Sequence, residues 1–211
     1  ESAPSPSNPV TFNVYAEIPG FAPVSQTITV TSDSAKTIDI TTVEYANPAD
    51  GTSVATTQGV LKNGVSDGQT IATPIRASMT EVTTVSIPAG TQVLDANGNA
   101  INASQLTANV VNYSAISPTS YGAFPGGFNP TNVVDEKGQP ISNSEGINFV
   151  SAGLVSIKMD AGGTAIKKFS KPVDVSMEVN ANTTNFETGE NVKEGDTVPL
   201  WSLNEETGAW K

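Results

Sequence analysis

The segment Val173-Asp174-Val175-Ser176-Met177-Glu178-Val179 alternates strictly between apolar and polar residues. Successive side chains of a β-strand point to opposite faces, so a period of two is typical of a strand with one face in a core and its acids in water. A helix would instead place apolar residues every three or four positions. The segment therefore predicts a half-buried strand of an antiparallel sheet.

Similar short runs follow one another along most of the chain, separated by Gly, Pro, Asn and Asp. The chain has 22 Val and 25 Thr but only 6 Leu, and β-branched residues favour strands over helices. Asn63-Gly64 and Gly162-Gly163 supply the residues that tight hairpin turns require. These features predict an all-β protein built as an antiparallel β-sandwich. Candidate strands after residue 50 lie at 54–61, 70–77, 80–87, 91–94, 104–113, 147–150, 153–159, 165–169, 172–179 and 197–203.

The first part of the chain predicts a tether and a small unit of its own. Residues 1–9 are rich in Ser and Pro and predict a flexible tether. Three alternating runs then predict a three-stranded β unit over residues 10–46. The runs are 10–17, 27–31 and 37–41. Turn formers are concentrated at 47–51, which marks a boundary before a larger sandwich at 47–211. Three strands bury little apolar surface, so the small unit should lean on another part of the protein.

Composition limits the chemistry that this chain can perform. It contains no Cys and no His, which removes the usual residues for metal binding, nucleophile activation and proton transfer near neutral pH. We therefore assign no catalytic residue, no metal ligand and no cofactor, and expect a protein that is not an enzyme. The net charge is −11 and Arg76 is the only arginine. Nucleic acid and anionic membrane surfaces are not expected as partners, because both require clustered basic residues.

One resemblance lies near the start of the chain. Ile18-Pro19-Gly20-Phe21-Ala22-Pro23, followed by Thr27-Ile28-Thr29-Val30 and Thr37-Ile38-Asp39-Ile40, resembles the last strands of carboxypeptidase regulatory-like (transthyretin-like) β-sandwiches. The resemblance covers about residues 10–43, and the opening strands of that family have no counterpart in this sequence. It implies a unit completed by its neighbour, or one whose first strands lie outside the sequence.

A second resemblance lies further along. Val85-Ser86-Ile87-Pro88-Ala89-Gly90-Thr91 and the ending Val198-Pro199-Leu200-Trp201 with Thr207-Gly208-Ala209-Trp210 are similar to extracellular β-sandwich modules of bacterial surface lipoproteins and of cartilage intermediate layer protein relatives. In those proteins a regulatory-like domain precedes such a module. The resemblance implies scaffolding or recognition at the cell surface, with a lipid anchor upstream of residue 1 as the only attachment to a membrane.

Aromatic residues supply the candidate ligand-binding positions. Residues 117–130 hold Tyr121, Phe124 and Phe128 among Pro and Gly without alternation, which predicts a long loop. Aromatic side chains on such a loop can form a recognition surface, or can fold back over an open sheet edge. Trp210 is the fourth candidate: it either packs against Trp201 across a hairpin or stacks on a sugar ring.

Two acidic patterns are candidate chemical sites. Asp95, Asn97 and Asn99 have the spacing that opens calcium loops, but Leu106 stands where such a loop needs a carboxylate. An Asx-type turn is the favoured interpretation, with a weak calcium site as the alternative. Glu205 and Glu206 could form the carboxylate pair of a glycosidase, although the simplest interpretation makes both exposed turn residues.

These patterns predict a non-enzymatic, exported cell-surface module for adhesion or scaffolding, part of a bacterial lipoprotein. Its partner would be an unknown protein or glycan at the cell surface. The alternative is a carbohydrate-binding module of a surface glycan-recognition system, using Tyr121, Phe124, Phe128 or Trp210. An acid-based hydrolase is the third hypothesis.

Overall fold

A computed structural model describes residues 3–35, 37–141, 149, 151–185 and 188–211. Within these ranges the protein is all-β, which confirms the predicted class, and its only helix has four residues. No helix there has the length and apolar character to cross a membrane. The elements are β1 (Val10–Ala16), β2 (Val24–Val30), β3 (Thr52–Lys62), β4 (Val65–Ser66), β5 (Gln69–Ala72), β6 (Thr83–Ile87), β7 (Val93–Leu94), β8 (Gln105–Tyr113), α1 (Pro118–Tyr121), β9 (Leu154–Ala161), β10 (Thr164–Ala165), β11 (Lys168–Phe169), β12 (Asp174–Met177), β13 (Leu203–Asn204) and β14 (Ala209–Trp210).

A five-stranded antiparallel sheet with the order β10-β9-β8-β3-β4 is the centre of the fold. Its two longest strands, β3 and β8, pair from Thr52 opposite Tyr113 to Val60 opposite Gln105. Strand β9 continues the sheet along β8 from Leu106 to Tyr113. The central position of β8 explains why most of its residues are buried, because the strand has a neighbour on each side and packed layers above and below.

Both predicted hairpin turns are present in this sheet. Asn63 (φ 49°) and Gly64 (φ 78°) connect β3 to β4, and Gly162 (φ 58°) and Gly163 (φ 81°) connect β9 to β10. Two successive residues at positive φ are the requirement of the tight turn whose twist matches antiparallel strands. The sequence signal for these turns is therefore local and reliable.

A second sheet, ordered β12-β6-β5, packs on one face of the central sheet. The period-two segment forms β12, where Val175 lies opposite the fully buried Val85. Val175 is nevertheless 47% exposed, because β12 is the edge strand of this sheet. The core between the sheets consists of Leu61, Ile71, Val85, Ile87, Val93, Leu106, Ala108, Val110, Met159, Ala161 and Ile166.

The N-terminal residues cover part of the opposite face of the central sheet. Val111 and Tyr113 of β8 point to that face and are buried in a second apolar cluster. Ala22 and Val43 from the N-terminal unit complete this cluster, together with Ala123 from the loop after α1. Ala22 and Val43 therefore pack against the central sheet.

The structure corrects the prediction of a third strand in that unit. β1 and β2 form a two-stranded antiparallel ribbon, whereas residues 37–41 carry no strand. The chain instead runs beside the turn before β2, where Ala22 N–H donates to Val43 O (2.8 Å) and Tyr45 N–H to Gly20 O (2.9 Å). Ile40 is 40% exposed, so alternation here does not correspond to a buried face.

The ribbon is also tied to the C-terminal hairpin of β13 and β14. Asn13 Nδ2 donates to the carbonyl oxygen of Glu205 (3.0 Å), and Ser25 Oγ donates to the same oxygen (2.7 Å). Glu17 at the end of β1 forms an ion pair with Lys158 of β9 at 3.1 Å. These contacts join residues about as far apart in sequence as the chain allows.

Two turns of the fold have the same construction. Asp95 Oδ1 accepts from the N–H groups of Asn97 (2.9 Å) and Asn99 (2.8 Å), and Asp135 Oδ1 accepts from Lys137 (2.8 Å) and Gln139 (2.8 Å) in the same way. These are Asx turns, as favoured from the sequence. The hydrogen bonds hold the pKa of Asp95 below its usual value. Across the described ranges, no three acidic side chains gather as a metal site.

Candidate functional site

The aromatic loop that follows β8 is held in place by its own hydrogen bonds. Pro118 begins α1, where its fixed φ suits the first helical turn. Ser120 is fully buried and its Oγ donates to Ser114 O (2.6 Å), while the Tyr121 hydroxyl donates to Ala115 O (2.6 Å). The predicted long loop is therefore a defined structure that presents its aromatic side chains in fixed positions.

Three of the four candidate residues form one aromatic cluster. The ring centroids of Phe124 and Phe128 are 4.5 Å apart, and Tyr121 packs edge-on to Phe128 at 5.2 Å and to Phe124 at 5.9 Å. Phe124 also meets Tyr113 of the sheet at 5.6 Å. Edge-to-face geometry is the preferred arrangement of such rings. The cluster anchors the loop to β8 and leaves Tyr121 40% exposed.

Trp210, the fourth candidate, belongs to a second aromatic group. Phe149 lies between the two tryptophans, with its ring 5.2 Å from that of Trp201 and 4.9 Å from that of Trp210. Trp210 is 5% exposed and pairs with Leu203 across the hairpin. Its main chain also bonds to the segment before the second Asx turn, through Val134 N–H to Trp210 O (2.7 Å). The sequence predicts that the two indoles pack against each other, whereas in the structure the Phe149 ring contacts both.

The two aromatic groups line an open cavity of about 420 Å³. Five rings line it, and aliphatic side chains complete its apolar surface, with Leu200 at 95% and Val198 at 49% exposed. No Asp, Glu, Lys or Arg is among the described residues that line it. The volume and the mostly apolar surface are typical of small-molecule sites. The rings are those of Phe124, Phe128, Phe149, Trp201 and Trp210.

Two side-chain atoms of residues that line the cavity lack a hydrogen-bond partner and are themselves covered by protein. Trp210 Nε1 and Thr183 Oγ1 are both buried and make no hydrogen bond. Their residues are 5% and 6% exposed. A buried polar atom without a partner costs about 1–3 kcal/mol. Such atoms are uncommon in folded proteins, and each needs an explanation.

A second, smaller groove of about 300 Å³ lies on the other side of the aromatic loop. Tyr121, Phe124 and Phe128 form one wall. The facing wall comes from β2 and the segment after it and is polar, with amide, hydroxyl and carboxylate side chains that include Gln26 and Asp39. Tyr121 lines this groove and not the larger cavity, so the four predicted residues are divided between two sites.

A third depression of about 600 Å³ lies between the ribbon and the C-terminal hairpin and contains charged groups. Glu205 is half-buried there, which corrects the expectation of an exposed turn residue; Glu206 is exposed. Burial raises the pKa of the Glu205 carboxyl, and nearby Glu17 adds to the effect, whereas Lys167 and Lys158 oppose it. The burial follows from the packing of the ribbon on the hairpin turn, a contact between distant segments that the local sequence did not predict.

Sequence reasoning missed Phe149 and Thr183 as members of the cavity. Thr183 lies between Asn180 and Asn191 in a segment without alternation, so no local signal marks it. Phe149 fell in the candidate strand 147–150, most of which lies outside the described residues. Comparisons of the chain with protein-family models, curated proteins and solved structures found no match. The resemblances noted from the sequence therefore stay predictions.

Proposed function

We propose that this chain is a non-enzymatic module that serves adhesion or scaffolding at a cell surface, as an exported part of a bacterial lipoprotein. The observation that carries the proposal is the aromatic cavity whose described lining has no ionisable side chain. Acid–base and nucleophilic catalysis need a titratable or activated group at the reacting centre. Apolar lining with a few polar groups serves binding instead.

The exposed rim of this cavity supports contact with a partner. Leu200 is 95% exposed and Val198 49% exposed at its edge. Exposed apolar side chains next to a concave aromatic surface are typical of recognition sites. The net charge of −11 favours a partner that is neutral or basic over a polyanion.

The proposal is tested by capture of surface components on the immobilised chain. Leu200→Ser should weaken capture of an adhesion partner, while Ile75→Ser is the matched control, because Ile75 is 71% exposed away from the cavity. Equal capture by both variants would argue against this rim as the adhesive surface. Surface labelling of intact producing cells tests export, and a chain found only inside cells would contradict it.

Catalysis is tested separately on a panel of glycosides. We expect no turnover by the chain. Turnover that disappears in Glu205→Gln, with the folded state intact by circular dichroism, would replace the binding proposal with a hydrolase. Glu205 is the appropriate residue because it is half-buried with a raised carboxyl pKa, which is the usual condition of a catalytic acid.

Carbohydrate binding is the second candidate, and the smaller groove favours it. Its wall of aromatic rings faces amide, hydroxyl and carboxylate side chains, a combination that suits a sugar ring with one apolar face and several hydroxyl groups. In affinity gels containing polysaccharide, Tyr121→Ala should lose retardation and Tyr121→Phe should keep it, because only the ring is needed for stacking. Unchanged retardation in Tyr121→Ala would contradict the candidate.

A further inference from the structure

The chain contains two Asn-Gly pairs, which the fold places in very different surroundings. Asn97-Gly98 lies at the tip of the first Asx turn, and Asn63-Gly64 connects β3 to β4. We propose that Asn97 is a site of spontaneous deamidation, at which the folded chain converts this side chain to aspartate and isoaspartate, whereas the fold protects Asn63. The inference is independent of the proposed function.

The reaction needs only the two residues and water. The amide nitrogen of Gly98 loses its proton to water and attacks Cγ of Asn97. The bond that forms closes a five-membered succinimide ring, and the bond that breaks releases the side-chain nitrogen, which takes up a proton from water and leaves as ammonia. Water then opens the ring at either carbonyl carbon, which gives aspartate or isoaspartate. Glycine favours the attack because it has no Cβ beside the nitrogen and leaves the backbone free to reach the reactive geometry.

The Asn97-Gly98 pair is open to solvent. Both residues are exposed, and a Cβ built at Gly98 would meet nothing within 4 Å. Among the residues that the structure describes, none forms a hydrogen bond with the Asn97 side-chain amide. The Gly98 N–H donates to Asp95 O at 3.1 Å, and both ends of this bond lie in the turn itself. A local fluctuation of an exposed turn is therefore enough to release the attacking nitrogen.

The Asn63-Gly64 pair is held from several sides. Gly64 is buried, and a Cβ there would collide with the carbonyl oxygen of Ile101. Its N–H donates to Ala103 O at 2.8 Å, and its carbonyl oxygen accepts from the N–H of the fully buried Val93 at 3.0 Å. Release of this nitrogen requires the hairpin to separate from two neighbouring segments, which is a larger and rarer opening. The dipeptide is the same at both places, so the difference in reactivity comes from the fold.

The two products should differ in their effect on the turn. Aspartate adds a carboxylate but leaves the main chain unchanged, so the turn should persist. Isoaspartate places an extra carbon in the main chain after residue 97, so the N–H of Asn99 cannot keep its bond to Asp95 Oδ1 (2.8 Å) without a shift of the turn. We expect faster hydrogen exchange of the Asn99 amide in the isoaspartate product than in the aspartate product, and equal exchange in both would contradict this part of the proposal.

Peptide mapping by mass spectrometry tests the proposal on the whole folded chain. After incubation in mildly alkaline buffer, Asn97 should be converted several times faster than Asn63, and electron-transfer fragmentation should identify isoaspartate beside aspartate. The matched control is the same chain unfolded in urea, where neither pair is held and the two rates should become similar. No conversion of Asn97, or a ratio of the two rates that is no larger in the folded chain than in urea, would overturn the proposal.

Two variants locate the reaction. Glutamine closes the corresponding larger ring much more slowly, so Asn97→Gln should lose the acidic species that accumulates on ion-exchange chromatography of the incubated chain. Asn63→Gly removes the other pair and suits the positive φ of that position (49°), so it should keep the acidic species. Loss of this species in both variants, or in neither, would contradict Asn97 as the site.

Discussion

The contact between Gly126 and Trp210 gives the sharpest test of how the cavity wall is built. Gly126 has φ +75°, and a Cβ there would lie 2.8–3.0 Å from three atoms of the Trp210 indole. The next residue, Gly127, has φ +64° with open space around the same position. Both Gly→Ala changes incur the backbone penalty of the left-handed region, about 1–2 kcal/mol. Only Gly126→Ala adds a steric clash, worth about 1–3 kcal/mol in a packed site.

Gly126→Ala should therefore lower the free energy of unfolding by about 1–3 kcal/mol more than Gly127→Ala does. Urea unfolding followed by tryptophan fluorescence measures both variants under the same conditions. The midpoint should shift without a change in slope if the compactness of the two states is unaltered. Equal destabilisation by the two substitutions would show that Gly126 does not lie against Trp210 and would refute the described wall.

Three further predictions concern stability. Tyr113→Phe should leave the free energy of unfolding unchanged or raise it by up to about 1 kcal/mol, because the buried hydroxyl has no partner; a larger loss in thermal unfolding would reveal a partner. Asn13→Ala should lower the free energy of unfolding by about 1–3 kcal/mol, because it loses the hydrogen bonds to Glu205 O and Ser25 Oγ. The control Thr11→Ala, at an exposed position, should change that free energy little. Burial raises the pKa of Glu205 above its usual value, so the stability of the folded chain falls as pH rises and the Glu205 carboxyl ionises. Glu205→Gln should thus have a higher free energy of unfolding than the unsubstituted chain at about pH 7 and lose that advantage at about pH 4. The same difference in free energy of unfolding at both pH values would contradict the prediction.

The fold class followed from signals that act over a few residues. Alternation and β-branched composition predicted strands, and Asn63-Gly64 and Gly162-Gly163 predicted hairpins that the structure contains. The failure at residues 37–41 has a physical reason. Alternation shows that a segment can form a half-buried strand, but it does not specify that a neighbouring strand pairs with it, and β2 has a strand neighbour, β1, on one side only.

The candidate site was predicted in part, for a similar reason. Phe124, Phe128 and Trp210 line one cavity because the loop after β8 and the C-terminal hairpin meet in space. Aromatic residues in a Pro- and Gly-rich loop gave a local signal for the first two. The meeting itself depends on contacts between distant segments, such as Gly126 N–H donating to Ser25 O (2.6 Å), which no local pattern encodes.

The burial of Trp210 in the cavity wall tests the account most directly. The chain has two tryptophans, so Trp201→Phe leaves Trp210 as the only reporter while it preserves an aromatic ring. Because Trp210 is buried, we expect blue-shifted emission that acrylamide quenches poorly. Emission typical of a water-exposed indole, with ready quenching in a folded chain, would contradict the aromatic cavity on which the proposed function depends.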